Sequence, residues 1–380
     1  MKLRLFLLVA AISVGLVSAG HVETSRRPRY CGTLRVEIGA VIHSLDPAGA
    51  TSDAEEAAAK EEIGALLYDQ RNPDGSFAGV AGSGAFHIAQ WESGKHLTLA
   101  ANENYRGGRP FVDAIEIEMG RAAKDRLLDL EVGSADFAEI PSQEARRAAE
   151  RGVRVSASRP EELVALVFGA GHPIGEDARA REALSRSIDR AAIVNFILQK
   201  EGEPAGGLLP QWSNGTAFLF PTATDTAGAK EMWSQIPGSP RMALGYDSGG
   251  SLEQAIAERI VVNARDAGIT LSAEATTTAA NDDVRLVRLR MKSVRPRDAL
   301  SGIVAALGPA TGLDATPLPA AASPEQIYGR ERDVVNSYRV VPVVWLPRTY
   351  GLGSRVRDWK SPAAGEGWPL ADIWLEQDSQ

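Results

Sequence analysis

Residues 163–168 read Leu163-Val-Ala-Leu-Val-Phe168, six apolar residues without a polar break. A strand with one wet face alternates polar and apolar side chains; a continuous run is the pattern of a strand covered on both faces. Such a strand needs further layers above and below it, and the chain on either side supplies them. C-terminal to it, the turn Gly169-Ala-Gly171-His-Pro-Ile-Gly175 leads into residues 176–199. There Ala183, Leu184, Ile188, Ile193, Val194 and Ile197 mark the apolar side of one long amphipathic helix. Residues 202–238, rich in Gly, Pro, Ser and Thr, read as loop. Met242 to Tyr246, Leu252 to Ala267, Ile269 to Leu271, Val284 to Leu289 and Arg297 to Leu307 then form a β-α-β-β-α series. A Pro/Ala stretch at 308–322 separates these from a helix starting near Pro324 and a strand at Val340-Val-Pro-Val-Val-Trp345. N-terminal to the apolar run, Leu34 to Ile38, Phe86 to Ile88, Leu97 to Leu99 and Ile115 to Met119 alternate as half-buried strands do. Residues 53–68, 121–132 and 142–151 read as helices, and Val153 to Val155 as a separate short strand. Strands alternating with helices indicate an α/β architecture with mixed sheets.

The chain is 380 residues long, with 41 Lys+Arg against 49 Asp+Glu, a net charge of −8 and a single Cys. That length suits two domains. A charged fraction of 24% beside 44% hydrophobic residues excludes global disorder. The acidic balance argues against a nucleic-acid partner. One Cys excludes an intrachain disulfide framework and any Cys-rich metal or iron–sulfur site.

The first nineteen residues have the three-part layout of a secretory signal peptide: a basic start at Lys2 and Arg4, an apolar run from Leu5 to Val17, and small residues before a cut after Ala19. The run is shorter than the ~20 residues a membrane span needs. Cleavage there leaves a mature charge of −10, a flexible lead-in at 20–31, and an exported protein that is not integral to the membrane.

Catalytic patterns are missing from the sequence. The five histidines, His21, His43, His87, His96 and His172, fall in no metal-ligand spacing. No G-x-S-x-G elbow and no P-loop occurs. The strand–glycine turn–helix at 168–176 has the context of a dinucleotide site, but Pro173 stiffens the loop and the segment lies mid-chain, so it reads as a crossover turn. Asn214-Gly-Thr216 fits a glycosylation sequon, which matters only in a eukaryotic secretory route.

Several stretches carry a resemblance. They are Gly32 to Val36 with Ser44-Leu-Asp-Pro47; Gly82 to Trp91; Leu97 to Asn102; Tyr105 to Pro110; Asp113 to Ile117; Leu128 to Asp136; Asp177 to Leu184 with Ile188-Asp-Arg190; and Glu203 to Pro210. Together they resemble the bacterial extracellular solute-binding proteins of family 5, the dipeptide, oligopeptide and nickel-type receptors of ABC importers. The resemblance implies an α/β Venus-flytrap fold of two lobes that close on a ligand by a hinge. Lobe one would hold 32–168 plus 340–380, and lobe two 169–339. The implied function is periplasmic binding of a small peptide-like or other polar solute, with an ABC permease as partner and no enzymatic activity, cofactor or metal.

Two departures stand out. Only Gln70 to Gly82 separates Tyr68-Asp69 from the next family-like block, so a peripheral subdomain reads as deleted. Met291-Lys-Ser-Val-Arg-Pro-Arg-Asp298 is basic where the family has an acidic segment for a peptide amino terminus; Arg295 and Arg297 would suit an anionic group instead. Cleft candidates implied by the fold are His43, Ser44, Phe168, Trp212, Trp345, Arg348 and Tyr350, with Arg348 orienting a polar group. Two other readings stay open. One is a degenerate family member acting as a sensor or scaffold, and the other an exported hydrolase.

Overall fold

A computed structural model describes residues 28, 30–45, 54–68, 82–238, 240–247, 250–276 and 282–376. The expected signal peptide, most of the lead-in, and the segment 69–81 where a subdomain reads as deleted lie outside these residues. The first part of the chain runs β1 (Thr33–Glu37), α1 (Ala54–Leu67), β2 (Phe86–Glu92), β3 (His96–Ala101), β4 (Ala114–Glu118), α2 (Ala123–Val132), β5 (Phe137–Ile140), α3 (Ala145–Glu150) and β6 (Arg154–Phe168). It continues through α4 (Pro173–Glu176), α5 (Ala178–Ser187), α6 (Arg190–Ala192), β7 (Glu203–Pro204), α7 (Gln211–Asn214), α8 (Thr226–Ser234), β8 (Arg241–Asp247), α9 (Ser251–Asp266), β9 (Thr270–Thr276) and β10 (Val284–Arg290). The last elements are α10 (Pro296–Thr311), α11 (Pro324–Asn336), β11 (Val340–Leu352) and a two-stranded ribbon of β12 (Val356–Arg357) and β13 (Trp374–Leu375).

One mixed sheet of 11 strands runs β2-β3-β4-β1-β5-β11-β6-β10-β8-β9, with β7 paired to β11. Its centre is the long antiparallel pair β6 and β11. At one end of that pair, residues 349–352 of β11 bind β5, and the sheet continues into β1 to β4. At the other end, residues 162–168 of β6 bind β10, and the sheet continues into β8 and β9. Each half packs its own core. Leu34, Val36, Leu97, Ile115, Phe137 and Tyr350 belong to one. Val164, Leu166 and Phe168 join a second with Ile256, Ile260 and Leu244. Leu163, Ala165 and Val167 point into a third with Leu300, Ile303 and Trp345. The apolar run is therefore covered on both faces, as its continuity requires, and the architecture is the two-lobe α/β fold.

The β6/β11 pair bends where both strands carry proline. Pro347 stands opposite Pro160, and register shifts flank Pro347 on either side. Proline has no N–H to offer a ladder, so regular pairing cannot continue at this level. The Arg348 N–H turns to Ser158 Oγ, at 3.0 Å.

Some expected elements are corrected. Residues 153–155 and 163–168 do not form two strands: 154–168 is one 15-residue strand, β6. The single helix over 176–199 is broken. Ile188 is extended, the Asp189 carboxylate takes the Ala192 N–H and starts a new turn, and Ile193 to Ile197 form a π turn. The break lets buried Arg190 donate from one Nε to the carbonyls of Ala205 and Pro342, both at 2.9 Å. Tertiary hydrogen bonds thus override a continuous helical pattern. The 202–238 stretch contains α7 and α8, the latter capped by Asp225. α10 runs on into the expected linker as far as Thr311, with Pro309 in its last turns.

Candidate functional site

Beside the bend of the β6/β11 pair lies a cavity of about 300 Å³. Ala157, Ser158, Arg159 and Glu161 of β6 form one wall; Trp212, Val294 and the tail 361–364 complete it. Residues from β6, from α7, from the loop before α10 and from the C-terminal tail meet here, at the level of the bend.

Each wall has a local cause. Trp212 sits on the short α7, and its Nε1–H donates to Pro160 O at 2.7 Å, the carbonyl of the bend itself. Arg159 lies over the indole with Cζ 5.7 Å from the ring centroid, a cation–π contact. The loop that carries α7 is anchored by Glu331 of α11, which is fully buried. Its carboxylate accepts from Leu209 N at 2.8 Å and Asn214 Nδ2 at 3.4 Å. Burial pushes the Glu331 carboxyl up to about 7, while the N–H groups of Leu209 and Leu208 and the Asn214 amide hold it lower than burial alone would. The tail is anchored in turn. Ser361 Oγ is 2.9 Å from Ser156 Oγ, and the Trp368 N–H donates to Glu62 Oε2 at 2.7 Å. Gly365 has φ +84°, and a Cβ there would stand 2.2 Å from Lys292 O, so only glycine lets the tail lie against the loop before α10.

Behind the cavity the two halves are joined by charge. Arg348, with 2% of its side chain exposed, donates from Nη1 to Glu62 Oε1 at 2.8 Å and from Nη2 and Nε to Glu139 at 3.0 and 3.3 Å. Arg290 of β10 also reaches Glu62 Oε1, at 2.5 Å, so one carboxylate of α1 holds arginines from two strands. Arg288 pairs with Glu162 and lies 3.6 Å from Glu253. Burial opposes ionisation of Glu139, but Arg348, then Arg290 and Arg288, outweigh it and hold the carboxyl down to about 2. Burial also works against the Arg348 charge, yet Glu139 and Glu62 keep it firmly protonated. Glu161 is different. It is 2% exposed, its Oε1 is 3.9 Å from Arg348 Nε, and no hydrogen-bond donor reaches that oxygen among the described residues. Burial pushes its carboxyl up to about 7, with Arg348 and Arg290 opposing and Glu162 and Glu62 adding to the rise.

Of the cleft candidates from sequence, Trp212 alone lines this cavity. His43 and Ser44 are exposed at another place: the His43 N–H meets Glu56 and its carbonyl takes Ser93 Oγ, neither a cavity residue. Phe168 is corrected to a core residue, fully buried at the far end of β6 against Val284. Trp345 is likewise core, 2% exposed beside Leu163, with an indole N–H that finds no acceptor among the described residues. Tyr350 packs within 5.6 Å of Phe137 and 4.9 Å of Trp359, ring to ring. The Arg348 guanidinium is held by Glu62 and Glu139. The arginines expected to suit an anion, Arg295 and Arg297, both turn onto Asp298 in the first turn of α10. The glycine turn at 169–175 offers no phosphate cradle either: the Gly171 N–H is taken by Glu176 Oε1 at 2.9 Å.

Glu161, like Ser158 and Arg159, lines the cavity without having been singled out from sequence. Its one local signal is position, as one of two acids immediately before an apolar run. No group of three His, Cys, Asp or Glu side chains among the described residues could hold a metal ion, and no described helix is long and apolar enough to cross a membrane.

The fold and parts of the sequence match known proteins. The oligopeptide-binding protein AppA of Bacillus subtilis is 26% identical over 125 residues, 33% of this chain and 23% of that protein. The probable D,D-dipeptide-binding periplasmic protein DdpA of Escherichia coli is 28% identical over 167 residues, 42% of this chain and 32% of that protein. The matches thus span about a quarter to a third of these relatives' lengths. A periplasmic binding protein DppA from Helicobacter pylori, solved with the peptide STSA, superposes with TM-score 0.74 at 14% identity, covering 92% of this chain and 99% of that one. The family model for the middle of these receptors matches residues 51–295. That range runs from α1 to the head of α10 and takes in β6 and β10 on the way, so much of the bend and its buried charges lies on the shared scaffold: the chain belongs to the bacterial extracellular solute-binding proteins, family 5.

Proposed function

We propose that this chain binds a small polar, peptide-like solute in the cavity at the bend of the β6/β11 pair and serves as the exported receptor of an ABC importer, with a permease as its partner. The observation that carries the reading is the cavity's place. Its walls come from both sides of the bend, so an occupant touching Trp212, Glu161 and the 361–364 tail would bias the angle between the lobes. The indole supplies flat contact area and the flanking charges supply orientation, the usual division of labour in such sites.

A thermal-shift panel of short peptides, amino acids, sugars and organic acids tests this. A bound solute at a hundred times its Kd adds about 2.7 kcal/mol of stability and raises Tm by several degrees. Trp212→Ala is expected to weaken the best solute at least tenfold, about 1.4 kcal/mol, while leaving the fold intact. A panel in which nothing raises Tm would end this reading. The sensor-or-scaffold alternative draws support from Arg348, whose guanidinium is spent on internal carboxylates.

A further inference from the structure

We propose that Glu331 is a positioning residue for the cavity wall: its carboxyl lies sealed under the segment 203–215 that carries Trp212, and ionising it works against the seating of that segment, so the wall loosens as pH rises. The pH response needs no solute; its consequence for binding rests on the solute-binding reading above.

The segment begins as β7, with Glu203 opposite Trp345 and Pro204 opposite Val344 of β11. Arg190 Nε then donates to Ala205 O at 2.9 Å, and further on the Trp212 indole N–H reaches Pro160 O. Between these ties the backbone turns onto Glu331. Its Oε1 accepts from Leu209 N at 2.8 Å, and its Oε2 is 3.4 Å from Asn214 Nδ2. Gly207 makes the approach possible, since a Cβ there would stand 2.5 Å from Glu331 Oε1. With the segment seated, Glu331 keeps no exposed surface.

That carboxylate has no counter-ion. Residues 204–224 contain no ionisable side chain, and neither do 299–313 from α10 onward nor 340–347 of β11. On α11 itself, Arg330 turns to Asp314, and Arg332 turns to Asp333 and the Tyr328 ring, which rests on Phe220. Arg190 spends its Nε on the carbonyls of Ala205 and Pro342 and its Nη1 on Ser185 O. Leu208, Leu209, Ile327 and Val334, on the segment and on α11, belong to an apolar core. A buried carboxylate held by neutral donors alone is less stable ionised than one in water.

The sign follows from linkage. Seated, the carboxyl is pushed up to about 7 by burial, against the N–H groups of Leu209 and Leu208 and the Asn214 amide, and no charged group takes part. Unseated, it meets water and returns toward its ordinary 4.5. The seated form therefore holds its proton more tightly. It is favoured at low pH and loses ground as pH rises through about 7. Between those two limits the unseated fraction grows at most about thirtyfold from about pH 5.5 to about pH 8.5. Trp212 lines the cavity, so the wall is best formed in mild acid.

Two measurements on the full chain, without solute, test this. Hydrogen exchange over 205–215, corrected for the intrinsic pH dependence of exchange, should speed up at least fivefold from pH 5.5 to 8.5, while α9 stays unchanged. Fluorine NMR of the chain labelled with 5-fluorotryptophan reports its seven tryptophans, and Trp212→Phe identifies the resonance from the wall. That resonance should titrate with a midpoint near 7 and stand still in Glu331→Gln. Glu161 also lines the cavity and is also raised to about 7, so Glu161→Gln is the control, and the titration should persist there. A Trp212 resonance indifferent to pH would overturn the inference. So would a titration that survives Glu331→Gln or vanishes in Glu161→Gln, or exchange over 205–215 that is constant or slows as pH rises. Should Glu331→Gln fail to fold, exchange in the wild-type chain and the Glu161→Gln control decide alone. A solute panel without a hit ends the binding reading and leaves this pH response in place; a wall indifferent to pH ends the inference and leaves the binding reading in place.

Discussion

Two buried ionic junctions tie the C-terminal part of this chain to its first half, and they are built in opposite ways. At Asp136, donors are in excess. One carboxylate, 2% exposed, accepts from Arg355 Nε and Nη2, from Arg35 Nε and Nη2, and from the Arg35 backbone N–H. At the bend of the β6/β11 pair the matching is incomplete on both sides: Glu161 Oε1 has no hydrogen-bond donor and Arg290 Nη1 no acceptor among the described residues. The first junction closes on itself and lines no described cavity wall; the second stands beside an open one. A fully paired buried charge reads as structure, whereas buried polar atoms left without partners each call for an explanation.

The two junctions should respond oppositely to pH. Burial opposes ionisation of Asp136, but Arg355 and Arg35 outweigh it and hold the carboxyl below its usual 3.8. Its stabilisation is complete above that value and is lost as acid titrates it in the native state. Glu161 is raised from 4.5 to about 7, so its contribution is most favourable below 4.5 and is lost as pH rises through 7.

The sharpest way to break the contrast is Asp136→Ala. It strands two arginines that are about a third exposed, and should cost about 3 kcal/mol by urea denaturation at pH 7. A cost below about 1 kcal/mol would show that the junction is not structural. Next, Glu161→Gln should stabilise the ligand-free chain by about 3 kcal/mol at pH 8, a gain that shrinks to nothing near pH 4.5, since the rise from 4.5 to about 7 is about 2.5 tenfold steps in a protonation equilibrium at about 1.4 kcal/mol each. Equal effects at both pH values would mean that Glu161 is not the uncompensated charge. The smallest effect belongs to Arg295→Ala. Its side chain is 72% exposed and shares Asp298 with Arg297, so stability should change by less than about 0.5 kcal/mol. A large loss of solute binding on that change would restore the anion site that the basic 291–298 segment suggests.

The legible parts of the fold are those with short-range periodicity. β3 and β4 alternate in burial as they alternate in sequence, and α9, α10 and α11 begin within a residue or so of where the pattern places them. Trp212 is within reach of sequence reasoning as an aromatic in a loop rich in Gly, Pro, Ser and Thr. Phe168, Trp345, Arg348 and Tyr350 are not, because proximity to a crossover does not say which way a side chain points. On a two-sided strand most positions point into a core, and all of β11 is buried. The pattern over 176–199 does not hold as one helix because Arg190 answers to carbonyls 15 and 152 residues away.

Sequence alone determined the α/β alternation and the doubly covered strand at 163–168, because the pattern of apolar residues within one element carries them; the family-like blocks were legible only as a resemblance to known sequences. Tertiary structure alone decided the site. Glu161-Glu162 is an unremarkable acidic pair until the chain folds. Whether each acid finds an arginine depends on residues such as Glu62 and Arg348, 286 positions apart. Ion pairing in a low-dielectric interior is settled within a few ångströms, and no local pattern records which distant charges arrive there.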